Sequence, residues 1–100
     1  MIKIEAEFID GAVMGIHAEG HAGSGPYGHD LVCAAVSAIL VGGFNALEGD
    51  QYRFEAKSGL GSVVCLAKPN PRDQIVLETI LTQLASVAES YPDNVKLERK

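Results

Sequence analysis

Asp10-Gly11 stands between two stretches of alternating polar and apolar residues, and this commits the start of the chain to a β-hairpin. Ile2, Ile4, Ala6 and Phe8 alternate with Lys3, Glu5 and Glu7, which describes a strand with one buried face. Ala12 to Glu19 reads as the returning strand, with Val13, Gly15 and His17 on one face and Met14, Ile16 and Ala18 on the other. A second hairpin is expected later. Tyr52 to Lys57 alternates with Tyr52, Phe54 and Ala56 on one face, Ser58-Gly59-Leu60-Gly61 turns, and Ser62 to Ala67 pairs back.

Each hairpin is followed by a helical pattern. Asp30 is a good N-cap for a helix over Leu31 to Leu47. Ala, Val, Ile and Leu fall on all its faces, so it is expected to be buried on most sides, by a sheet and something else. The Gly42-Gly43 pair weakens its second half by about 1 kcal/mol per glycine relative to alanine and points to a close backbone contact. Lys68-Pro69-Asn70-Pro71 breaks the chain before a helix from about Arg72 to Tyr91. Its apolar face is Leu77, Ile80, Leu81, Leu84, Val87, Ala88 and Tyr91. Pro92 ends it, and Asn94 to Glu98 is a last short strand. The order ββαββαβ predicts an α+β fold, a two-layer sandwich with a mainly antiparallel sheet and two helices, as a single domain over residues 1–100.

Composition excludes several classes. With 47% apolar residues in a chain of 100, there is enough for one core. A net charge of −5 argues against a nucleic-acid binder, which neutralises phosphates with a basic patch. It would attract a basic protein, and it also serves solubility. Two cysteines are too few for a disulfide framework. The opening MIKIEAEF alternates and carries charge, unlike a signal peptide. The apolar run Leu31–Leu47 is interrupted by Ser37, Gly42, Gly43 and Asn45 and is short for a membrane span. A soluble cytoplasmic protein with reduced thiols is expected.

The chemistry-bearing residues gather in Gly20 to Ser37. Gly20 to His29 holds four glycines and a proline in ten residues, which predicts a mobile loop. His21 enters that loop and Cys33 follows it. With Asp30 as N-cap, Cys33 occupies the first helical turn among backbone N–H groups that lack intrahelical partners. Such a position favours a thiolate, and the same N–H groups can hold the oxyanion of a tetrahedral intermediate. The Asp30 carboxylate opposes a thiolate unless it is spent on capping or on orienting an imidazole. His21 can serve as general base or as the imidazolium of an ion pair, and later protonate a leaving amine.

Other readings compete. A cysteine in an apolar helix is commonly inert packing, and Cys65, between Val64 and Leu66, fits that description better than Cys33. His17 reads as a structural strand residue, and His29 is the rival base. Ser37 lies one turn beyond Cys33, where it can bond a substrate or its own helix backbone. The spacing of His17 and His21, with two cysteines elsewhere, raises a metal-binding domain, but no CxxC or HExxH is present.

Gly20-His21-Ala22, the glycine-rich loop, Asp30, and Cys33-Ala34-Ala35 with Ser37 resemble the ribosomal-processing cysteine protease family, Prp. The resemblance extends along the whole chain, through its length, its element order and its acidic second helix. It implies a cysteine endopeptidase without cofactor or metal, with Cys33 as nucleophile and His21 as its partner. Family members in Firmicutes and related bacteria remove a short N-terminal extension from the basic large-subunit ribosomal protein L-twenty-seven. They cut after an aromatic-rich stretch and leave a small residue at the new N-terminus. The resemblance also implies a homodimer, which would account for a first helix apolar all round, and a Gly23–His29 loop that moves aside for substrate. The alternative is a non-catalytic, ribosome-associated binding module.

Overall fold

The first hairpin forms where the alternation places it. In a computed structural model that describes residues 1–23, 25 and 30–100, strands β1 (Ile2–Ile9) and β2 (Ala12–Gly20) pair antiparallel across Asp10-Gly11. Both turn residues have positive φ, 51° and 79°, the backbone of a type I′ turn, whose twist matches that of the strands it joins. The remaining elements are α1 (Leu31–Asn45), β3 (Tyr52–Lys57), β4 (Leu60–Cys65), α2 (Pro71–Ser90) and β5 (Val95–Arg99). The sheet order is β3-β4-β2-β1-β5; β5 runs parallel to β1 and every other pairing is antiparallel. The expected ββαββαβ order and α+β class are therefore present.

Several boundaries differ from the sequence expectation. The second hairpin turns on Ser58-Gly59 alone, and β4 begins at Leu60 rather than Ser62. Helix α1 ends at Asn45, two residues before Leu47. Helix α2 begins at Pro71: the Asn70 side chain accepts from the Asp73 N–H at 2.8 Å, and proline fits the first helical position, where no N–H is needed. The last strand runs one residue later than expected.

The face assignment in β2 also changes. Phe8 pairs with Val13 but Glu7 pairs with Gly15, so Met14 is an extra residue in β2. This bulge turns Val13 onto the same side as Ile16 and Ala18, and all three are buried. A strict alternation read through the bulge had placed Val13 on the opposite face.

The core lies between the helices and one side of the sheet. Ile2, Ile4 and Ala6 of β1, Ile16 and Ala18 of β2, and Val63 of β4 meet Val36 and Leu40 of α1 and Leu77, Ile80 and Leu84 of α2. Each large side chain buried in this way contributes roughly 1.5–3 kcal/mol. Gly43 provides the close approach expected of the glycine pair: a Cβ there would collide with the Ile80 side chain of α2, whereas one at Gly42 would meet nothing within 4 Å.

Helix α1 departs from its expected burial. Val32, Val36, Leu40 and Phe44 form a single buried stripe at four-residue spacing. Leu31 is 82% exposed and Val41 50%. The single chain therefore covers one face of α1 and leaves apolar residues of another in contact with solvent.

Candidate active site

Asp30 starts α1 and places Cys33 by doing so. Its backbone is extended (φ −85°, ψ 106°), and its Oδ1 accepts from the Val32 and Cys33 N–H groups, both at 3.0 Å. Its carbonyl accepts from Ala34 N–H at 3.0 Å. Cys33 thus sits in the first turn, as the sequence predicts. The amides there are occupied, however. The Val32 and Cys33 N–H groups expected to hold an oxyanion are instead satisfied by Asp30, since capping and oxyanion binding compete for the same donors.

A different backbone donor reaches the sulfur. The Ala22 N–H points at Cys33 Sγ with a separation of 3.2 Å. Ala22 is 3% exposed, and its carbonyl accepts from Asn94 Nδ2 at 2.9 Å. Two residues past the end of β2, the chain is therefore fixed to the sulfur through its N–H and to the residue before β5 through its carbonyl.

His21 immediately precedes this anchor. The Gly20 N–H donates to the Gly59 carbonyl at 2.9 Å, which ties the end of β2 to the β3–β4 turn. Gly59 has φ +75°, and a Cβ built on it would lie 2.9 Å from His21 Nε2. The imidazole therefore lies against a turn that is open because residue 59 has no side chain.

His21, Asp30, Cys33 and Ser37 all line one cavity of about 460 Å³. Its apolar wall includes Ala18, Val36, Leu40 and Phe44, and the β3–β4 hairpin, from Ala56 to Gly61, forms another side. Phe54 of β3 packs against Phe44 with ring centroids 5.4 Å apart. A cavity of this size, apolar on one side and bearing a thiol, an imidazole and a hydroxyl, suits an extended peptide with an apolar side chain.

The other cysteine and histidine positions are separate. Cys65 is buried, as expected, with its Sγ 3.8 Å from the Val13 carbonyl. Burial first, and the charge of Asp73 second, push its thiol up to about 11. Cys33 is half-buried, and both thiols are free. His17 faces the other side of the sheet, beside Ser62 and Glu5, and contacts Glu19 at 3.3 Å. It does not join His21, so the metal pair considered from their spacing does not form. Among the described residues no group of three or more His, Cys, Asp or Glu side chains could hold a metal. His29 and most of the expected Gly23–His29 mobile loop lie outside the described residues. Among the described residues no helix is long and apolar enough to cross a membrane.

Sequence reasoning missed three participants. Gly59 carries a weak signal, a glycine in a hairpin turn. Ala22 stands in the Gly20-His21-Ala22 motif without a role of its own there, and Asn94 carries no signal, because the two gain meaning only when the fold brings them together across 72 positions. A fourth, Asp73, is structural. It is fully buried and accepts from Glu48 N–H (3.1 Å), Gly49 N–H (3.0 Å), Tyr52 Oη (2.6 Å) and Arg72 Nη1 (3.1 Å). Burial alone would raise its pKa; these hydrogen bonds outweigh that and hold it down at about 2. Burial and the bond to Asp73 push the Tyr52 hydroxyl above its ordinary range.

Comparison with known proteins identifies the family. A family model described as cysteine protease Prp matches residues 1–96. The ribosomal processing cysteine protease Prp of Staphylococcus aureus (strain Mu50) is 33% identical, with all of both chains covered. A crystal structure of an essential ribosomal processing protease Prp from S. aureus, in complex with a covalently linked product peptide, superimposes with a TM-score of 0.92 at 33% identity, covering 100% of both chains. A second, in complex with a substrate peptide, gives 0.87 at 31% identity, again over 100% of both. Matched from end to end in sequence and in fold, the chain belongs to the cysteine protease Prp family.

Proposed function

We propose that this chain is a ribosomal-processing endopeptidase in which Cys33 attacks the scissile carbonyl and His21 moves the proton. Sγ adds to the carbonyl carbon and gives a tetrahedral intermediate. The imidazolium of His21 then protonates the departing amine, and the N-terminal fragment remains on the sulfur as a thioester. Water, activated by the same imidazole, releases it. The observation that carries this reading is the shared cavity: Cys33 and His21 line one apolar-walled space of about 460 Å³, and Cys33 Sγ receives a backbone N–H. Asp30 sets the helix start that presents the thiol. Ser37, exposed and on the same cavity, is assigned a contact to the bound peptide.

The substrate is the N-terminal extension of the precursor of ribosomal protein L-twenty-seven. Relatives are named for ribosomal processing, and a net charge of −5 favours approach of a basic ribosomal protein. The enzyme works in the cytoplasm as a homodimer. The exposed apolar residues of α1, Leu31 and Val41, support a second copy as the partner that covers them. Incubation with a synthetic peptide spanning the extension junction tests the reading. Cleavage that falls at least about 100-fold in His21→Ala supports the dyad; cleavage unchanged in His21→Ala and lost in His29→Ala would reassign the base.

A further inference from the structure

The Ala22 carbonyl is bonded by a residue from the opposite end of the chain, Asn94. Asn94 is itself fixed on both sides: its N–H donates to the Tyr91 carbonyl at 3.0 Å, and its carbonyl accepts from Ile2 N–H at 2.9 Å. The turn after α2 and the first residue of β1 thus hold its backbone. From that position Nδ2 reaches the Ala22 carbonyl at 2.9 Å, and Ala22 N–H reaches Cys33 Sγ at 3.2 Å. The sequence Asn94 side chain, Ala22 backbone, Cys33 sulfur is continuous, and Ala22 within it is buried.

We propose that Asn94 is a positioning residue that holds Ala22 so that its N–H stays aimed at Cys33 and favours the thiolate. The proposal rests on the reading of Cys33 as nucleophile. An N–H donor binds an anionic sulfur more strongly than a neutral thiol, so a fixed donor favours ionisation and an unfixed one does so less. Without the Asn94 amide, the Ala22 carbonyl loses its partner and the donor is held less firmly. Asn94 touches neither the sulfur nor a substrate in this scheme; it acts through Ala22.

The test is alkylation of Cys33 by iodoacetamide between pH 6 and pH 10, in the parent, Asn94→Ala and Asn94→Asp, each read by peptide mapping. Neither variant needs a new backbone conformation, since among the described non-glycine residues only Asp10 has positive φ. Cys65 is the internal control, because it is buried and stays protected while the fold is intact. The expected result is Cys33 alkylation about tenfold slower at pH 7 in both variants. The difference should narrow as pH rises, with Cys65 protected throughout. An unchanged pH profile in either folded variant overturns the proposal. So does loss of Cys65 protection in both variants, which would make Asn94 a residue of folding alone. This readout requires no proteolysis, so it fails independently of the nucleophile assignment, which Cys33→Ala in the cleavage assay addresses.

Discussion

Gly59 lies directly against the His21 ring: a methyl group added at residue 59 would sit 2.9 Å from Nε2 and 3.3 Å from Cε1. The hairpin turn is therefore one wall of the imidazole's position. Gly59→Ala adds two insults, a side chain at φ +75°, which costs about 1–2 kcal/mol, and displacement of the ring. Displacing a proton-transfer group by about 1 Å can cost about 100-fold in rate. Peptide cleavage should fall by about one to two orders of magnitude in Gly59→Ala, while melting shows a folded protein. Cleavage at the parental rate would mean that His21 is not held where the chemistry occurs.

The two adjacent glycines of α1 make opposite predictions. Gly43 faces Ile80, which is 1% exposed and has no room to retreat. Gly43→Ala should lose about 1–2 kcal/mol, because overpacking outweighs the gain in helix propensity. Gly42 faces open space in the single chain, and Gly42→Ala should gain up to about 1 kcal/mol. Urea unfolding of the two variants side by side checks the sign of each.

Much of the fold was legible because local chemistry and global packing agree in it. Asp10-Gly11 sits between alternating strands, and the turn has the positive φ values that pair of residues tolerates. The Asp30 cap was legible for the same reason: its bonds reach two and three residues along the chain. What failed was what depends on distant pairing. The bulge at Met14 is a matter of register between β1 and β2, and alternation inside β2 alone hides it. A local competition was also missed: the Val32 and Cys33 N–H groups expected to be available to an oxyanion are bonded by the Asp30 cap. Asp73 reads as an ordinary charge in a helix's first turn, three residues after its Asn70 cap. Its burial depends on donors supplied by Glu48, Gly49 and Tyr52, more than 20 positions earlier. Within the site, the positions of His21 and Cys33 on one cavity follow from residue types that the sequence displays. The Ala22–Asn94 link that joins them to the rest of the fold does not.

Asp73 also gives the protein an acid-sensitive element. Its folded pKa is about 2, below the ordinary 3.8. The ionised carboxylate therefore contributes stability that is present above about pH 4 and lost as pH falls toward about 2. Asp73→Asn places an NH₂ group against donors and should cost about 2 kcal/mol at pH 7. The stability gap between parent and variant should narrow as pH drops from 4 to 2. Denaturation of both at pH 7, 4 and 2.5 measures it. A gap independent of pH would show that ionisation of this carboxylate contributes nothing.

In the proposed mechanism the Cys33 sulfur carries the acyl group during peptide cleavage. Rapid mixing with a peptide spanning the ribosomal-protein extension, an acid quench, and mass analysis of the intact protein and its fragments measure that directly. The expected result is a thioester of the N-terminal fragment on Cys33, and loss of cleavage by about 10,000-fold or more in Cys33→Ala. Undiminished cleavage by Cys33→Ala, or an acyl group mapped to Cys65, would contradict it.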